Sequence, residues 1–235
     1  MVQSEHSSKQ YDIDLEALRT RVLEMGGVVE SQILAAINGL MANDAHSLDT
    51  VIAEDHRVNA LEVSIDTDCS HLIARRQPAA GDLRMVLAVI KIVTDLERIG
   101  DEAAKIARMG KQSLGHARLP NTPLAAIRHV SDIAIRMLRK ALDALARLDP
   151  AAAATIVRED FAIDEEFRAI VRQLITFMME DPRTISQALE IVWIAKAIER
   201  IGDHSKNIAE QVIYIVKGTD VRHTSVENLE REALG

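Results

Sequence analysis

A chain of 235 residues, 48% hydrophobic but only 3% aromatic, is long enough to bury a sizeable core. Its dominance by Ala, Leu, Ile, Val, Arg and Glu favours helices over sheets. A net charge of −8 argues against nucleic acid as the main partner, because phosphate contacts need a basic face, and a single cysteine, Cys69, excludes a disulfide framework and any metal site with two thiolate ligands.

The polar stretch from Met1 to Gln10 lacks the apolar core of a secretion signal. No uninterrupted apolar run is long enough to cross a bilayer, since Arg84, Lys91 and Asp95 break the best candidate, so a cytoplasmic chain is expected. After a frayed start, Asp12 and Asp14 offer N-caps for a first helix running from Leu15 to Leu40, weakened in its middle by Gly26-Gly27. Asp44 caps a second helix that ends before Pro78. Gly81-Asp82 opens a third, reaching to about Met109-Gly110. Between Gly110 and Pro123 the Gly and Pro content marks an internal boundary. A fourth helix spans about Leu124 to Leu148, and Asp149-Pro150 supplies an N-cap with Pro at the first helical position of a fifth. Asp181-Pro182 repeats that signal for a sixth helix ending at Lys217-Gly218. The expected fold is all-α, two tandem antiparallel three-helix bundles over residues 1–115 and 116–218, followed by a loosely held polar tail, 219–235. One continuous six-helix array is the alternative.

The third and sixth helices carry the same pentapeptide, Glu97-Arg98-Ile99-Gly100-Asp101 and Glu199-Arg200-Ile201-Gly202-Asp203, at a shift of 199 − 97 = 102 residues. A Glu and an Asp at i and i+4 project from one side of a helix about 5.4 Å apart in rise. Each acid pair continues an apolar line, Leu83, Leu87 and Ile90 in one copy and Ile185, Leu189 and Val192 in the other. Like charges on a core-facing line are unfavourable unless a cation or hydrogen-bond donors answer them. A neighbouring Arg or Lys would do, and a metal ion is the compact answer. Gly inside a helix costs about 1 kcal/mol relative to Ala, so Gly100 and Gly202 are expected where something approaches the backbone closely.

The second helix of each unit carries polar residues at the same spacing, Asp55 with Asn59 and Asp160 with Asp164. A solvated helix face explains these pairs as well as ligation does. If the second and third helices pack side by side, the pairs meet in an oxygen-donor set suited to hard cations. A di-iron or ferritin-like enzyme, or a metal-storage bundle, is the competing reading. Its Glu-x-x-His signature is absent, and so are a phosphate loop, a dinucleotide turn and a zinc helix. His204 is expected to face solvent, and Trp193 and Met85 to pack in the core.

These motifs resemble the PhoU family of bacterial regulators of phosphate uptake. The resemblance rests on the doubled Glu-Arg-Ile-Gly-Asp, on Asn207-Ile208-Ala209-Glu210, on Asp55-x-x-Val58-Asn59-x-Leu61-Glu62 and on the closing Gly218-Thr219-Asp220-Val221-Arg222-His223. It implies two three-helix bundles and a non-enzymatic negative regulator of the phosphate-starvation response. It also implies contacts with the transporter ATPase subunit (PstB) and the sensor histidine kinase (PhoR), and a homodimer. The implied ligands for divalent or trivalent metal ions (Mg, Mn, Fe or Zn) are Glu97, Asp101, Asp55 and Asn59 in one half and Glu199, Asp203, Asp160 and Asp164 in the other. Asn59 stands where the family has Asp, and Lys105 where the counterpart of Asn207 is expected. With four acids against three, the C-terminal set is expected to hold ions more tightly.

Overall fold

A computed structural model describes residues 2–78, 80–114 and 123–235 of the chain. Seven α-helices follow one another: α1 (Val2–Ala42), α2 (Ala45–Arg76), α3 (Ala80–Ser113), α4 (Leu124–Arg147), α5 (Pro150–Glu180), α6 (Ile185–Lys217) and α7 (Val226–Leu234), with a 3₁₀ turn at Pro182–Thr184. No strand occurs among the described residues.

The start signals act as their chemistry dictates. The Asp44 carboxylate accepts from the N–H groups of His46 and Ser47 at 3.0 and 3.3 Å. Asp149 accepts from the Ala152 N–H at 2.9 Å, with Pro150 in the first turn, so each cap satisfies a donor the helix cannot pair itself. Gly218 closes α6 in the left-handed region, φ 81°.

Two ends differ from expectation. Helix α1 begins at Val2, so there is no frayed start ending at Asp12. Asp14 therefore lies inside α1, where it accepts from Arg76 at the end of α2, at 3.0 Å. Nor does the C-terminal stretch hang loose. Ser225 caps α7, and Val221, Leu229 and Ala233 are buried, because apolar residues at helical spacing let α7 dock on α5. Arg158 of α5 forms an ion pair with Glu230. The expected boundary at 115/116, with Gly115 and Pro120, lies outside the described residues.

Helices α1–α3 and α4–α6 form the two bundles, and α3 and α6 pack together at the centre. Their partners run in opposite order, Arg84 with Ile215, Asp95 with His204 and Glu102 with Arg200, so the two helices are antiparallel. The buried apolar side chains of both bundles make one continuous cluster. Among the described residues the helix apolar and long enough to pass for a membrane span is not α3 but α1, over Ile13–Ala42. Half of it is buried within the protein, and Val22, Met25, Val29 and Ile33 are core residues.

Candidate metal sites

The buried face of α3 is centred on Val86, Val89, Val93, Leu96 and Ala103, and that of α6 on Ala188, Ile191, Ala195, Ile198 and Ser205. The lines leading to the paired acids are offset from these centres. Leu87, Ile185 and Leu189 are exposed, so the acids stand on the flank of each helix beside the second helix of the bundle rather than on a core-facing stripe. Burial still grades them, with Glu199 buried, Glu97 and Asp203 half-buried and Asp101 exposed.

Gly100 and Gly202 explain how α2 and α5 come so near. A Cβ on Gly100 would lie 3.2 Å from Val58 Cγ1 of α2, and one on Gly202 only 2.6 Å from Ile163 Cδ1 of α5. Val58 and Ile163 are equivalent at a shift of 105. The close approach expected of both glycines is the contact that brings the second-helix acids to the third-helix acids.

In the N-terminal bundle this gathers Asp55, Glu97 and Asp101 and adds Glu62, seven residues after Asp55 and hence two helical turns along the same face. Burial, then the charges of Asp101 and Glu62, pushes the Glu97 carboxyl above its usual value. Burial and Asp55 do the same to Asp101, and burial with Asp66 and Asp101 to Glu62. Asn59 is exposed. Gln32 of α1, buried at 8% exposure, donates Nε2 to Asp55 Oδ1 at 3.1 Å, while its Oε1 is buried without a hydrogen-bond partner. Lys105 is not part of this set; it pairs with Glu102 at 3.3 Å and lies over the Trp193 ring.

In the C-terminal bundle Asp203 stands near both Glu199 and Asp160, while Asp164 faces Arg168 at 3.5 Å. Burial, then the charges of Glu199 and Asp160, pushes Asp203 up to about 6. Glu199 Oε2 is buried and unpartnered. Two ammonium groups enter here: Lys196 Nζ is 2.5 Å from Glu199 Oε1, and Lys206 Nζ donates to Asp160 Oδ2 at 2.8 Å. Burial works against the charge on Lys206, but the hydrogen bond to Asp160 and the nearby acids outweigh it and hold its pKa above the usual lysine value. Sequence spacing could have revealed both lysines, which lie three residues before Glu199 and three after Asp203.

Among the described residues no three His, Cys, Asp or Glu side chains are drawn together tightly enough to hold an ion as they stand. The donors nevertheless fit a hard cation in kind: all are oxygens, they repel one another, and one carboxylate oxygen and one amide oxygen are buried with no partner.

Two other side chains depart from expectation. His204 is not solvent-facing: its Nδ1 is 2.8 Å from Asp95 Oδ1, to which Asn207 also donates at 3.1 Å. Trp193 is 52% exposed, not a core residue, whereas Met85 packs half-buried against the core as expected. Cys69 is buried, and burial pushes its thiol up to about 12.

A pair of three-helix bundles joined along α3 and α6, each with an acid cluster between its second and third helices, defines a class of all-helical repeat proteins. The PhoU domain matches the chain twice, over residues 22–109 and 127–212, and the chain belongs to the PhoU family. It is 49% identical over 230 residues to a phosphate-specific transport system accessory protein PhoU homolog of Burkholderia sp, covering 97% of this chain and 98% of that one. It is 43% identical over 232 residues to the accessory protein PhoU of Escherichia coli K12, covering 99% and 95%. The crystal structure of PhoU from Pseudomonas aeruginosa superposes with a TM-score of 0.86 at 44% identity, covering 89% of this chain and all of that one. The phosphate transport system regulatory protein PhoU of Streptococcus pneumoniae gives 0.83 at 27% identity over 90% and 99%.

Proposed function

We propose that the protein is a non-enzymatic, metal-binding regulator of phosphate uptake that damps the phosphate-starvation response when phosphate is plentiful. The observation that carries this reading is full-length similarity to accessory proteins of phosphate-specific transport systems, spread over both repeats rather than one. In this reading the chain works in the cytoplasm. It contacts the transporter ATPase subunit (PstB) and the sensor histidine kinase (PhoR), pairs as a homodimer and reaches the membrane only through its partners. The surface supports a role by contact. Where α5 turns into α6, Ile175, Met179, Ile185, Leu189 and Trp193 are all exposed, and large apolar side chains gathered in one region of a surface suit protein association. Glu97, Asp101, Asp55 and Glu62 in one bundle and Glu199, Asp203, Asp160 and Asp164 in the other would hold metal ions. A bound cation would supply charge compensation for each set, locking the second helix to the third. Deleting the gene should give high alkaline phosphatase activity in phosphate-rich medium, restored to low activity by the gene in trans. Repression unchanged by deletion would refute the regulatory role.

A further inference from the structure

We propose that Lys196 and Lys206 are built-in counter-ions of the C-terminal carboxylate set, so that a divalent cation binds first and more tightly at the N-terminal set. This rests on the metal-binding reading above and reverses the order that counting acids along the sequence suggests.

Four corresponding differences favour the N-terminal set, against one, Asn59 for Asp164, that favours the C-terminal set. On the third and sixth helices, at a shift of 196 − 94 = 206 − 104 = 102, Thr94 and Ala104 stand where Lys196 and Lys206 do. Thr94 is bonded back to the Ile90 carbonyl at 3.1 Å and Ala104 is fully buried, so neither can serve as a counter-charge. On the second helices, at a shift of 167 − 62 = 105, Glu62 corresponds to Phe167, whose ring lies 5.4 Å beneath the Lys196 ammonium. On the first helices, at the same shift, Gln32 corresponds to the buried Met137. Thus Asp55 is held by a neutral amide from α1, while Asp160 is held by an ammonium from α6.

The consequence is one of charge. Asp55, Glu62, Glu97 and Asp101 are four carboxylates, and among the described residues no lysine or arginine is ion-paired with any of them. Arg98 and Arg108 act on the set only at longer range. Asp160, Asp164, Glu199 and Asp203 are also four, but two ammonium groups sit on them, and Arg168 reaches Asp164 at 3.5 Å from the wet side. A cation entering the C-terminal set must compete with lysines already bound to Glu199 Oε1 and Asp160 Oδ2, although Glu199 Oε2 has no partner. A cation entering the N-terminal set relieves a repulsion that only distant arginines and one neutral amide oppose. Gln32 Oε1, buried and unpartnered beside Gly100, adds a free neutral oxygen to that side. Ligand charge tunes the affinity of oxygen sites over decades, so the gap should be on the order of tenfold or more.

The test is titration of Mn²⁺ alone into the chelator-treated full-length protein, counting free Mn²⁺ by its electron paramagnetic resonance signal. A tight class of sites should survive in Glu199→Gln/Asp203→Asn and vanish in Glu97→Gln/Asp101→Asn. Lys196→Met/Lys206→Met, which keeps the apolar stems, should gain a second class of similar affinity. If the tight class follows Glu199 and Asp203 instead, if both sets bind equally, or if the folded lysine variant gains nothing, the counter-ion assignment is wrong while metal binding stands. No Mn²⁺ uptake by wild type or any variant would remove the metal-binding reading, and this inference with it. Should the lysine variant lose its helical circular dichroism, the two carboxylate variants still decide, because each relieves repulsion rather than creating it.

Discussion

Gly26 and Gly27 are neighbours in α1 with opposite surroundings. A Cβ on Gly26 would stand 2.6–3.2 Å from three atoms of the Leu142 side chain in α4, whereas one on Gly27 would meet nothing within 4 Å. Gly27→Ala should therefore raise stability by up to about 1 kcal/mol through helix propensity. Gly26→Ala and Gly202→Ala should lower it, since overpacking costs ~1–3 kcal/mol and outweighs that gain. Melting curves of the three variants check this, and a rise for Gly202→Ala would show that Ile163 moves aside freely. Glu210, only 8% exposed, is pushed up to about 7 by burial. A carboxyl with a raised folded pKa binds its proton more readily folded than unfolded. Its charge thus opposes folding above about 7, and that opposition fades as pH falls toward its unfolded value near 4.5. The metal-free protein should melt higher at pH 6 than at pH 8. Glu210→Gln should add on the order of 1–3 kcal/mol at pH 8 and little near pH 5, and equal gains at both would rule out this origin.

At the scale of elements, α7 shows how a short amphipathic segment closes a bundle. Nine residues are too few for a stable free helix, so its helicity depends on docking Leu229 and Ala233 against α5 and on the Arg158–Glu230 pair outside. Leu229→Ala should cost about 2 kcal/mol or more and free the segment, seen as faster amide exchange confined to α7 and the α5 face beneath it. Unaltered exchange would mean that the cap and the exposed ion pair hold α7 unaided, contrary to their modest worth.

For the whole molecule, the joint between bundles is built like a core and not like a linker-joined contact. Helices α3 and α6 share apolar packing with the Glu102–Arg200, Asp95–His204 and Asp95–Asn207 bonds laid across it, and Gly26 lets α1 approach α4. Neither bundle buries its central helix alone. Calorimetry should therefore show a single cooperative unfolding transition, with calorimetric and van't Hoff enthalpies in agreement. Two resolved transitions would show that each bundle is stable by itself.

The sequence by itself determined the six bundle helices, most of their starts and the internal repeat, because caps, apolar periodicity and a duplicated pentapeptide are local signals carried by neighbouring residues. It also named the paired acids and the two glycines that let the second and third helices meet. What only tertiary structure decided were the relations between helices. The offset of the acids from the core-facing line, the exposure of Trp193, the pairing of His204 with Asp95 and the docking of the C-terminal stretch all depend on which faces are covered by other segments. The charge balance of the two acid sets belongs to the same group. Counting along the chain put Lys105 against the first set and overlooked Lys196 and Lys206 in the second. An ammonium on a flexible four-carbon stem reaches whichever carboxylate the packing offers, and that choice is made in space, not in sequence.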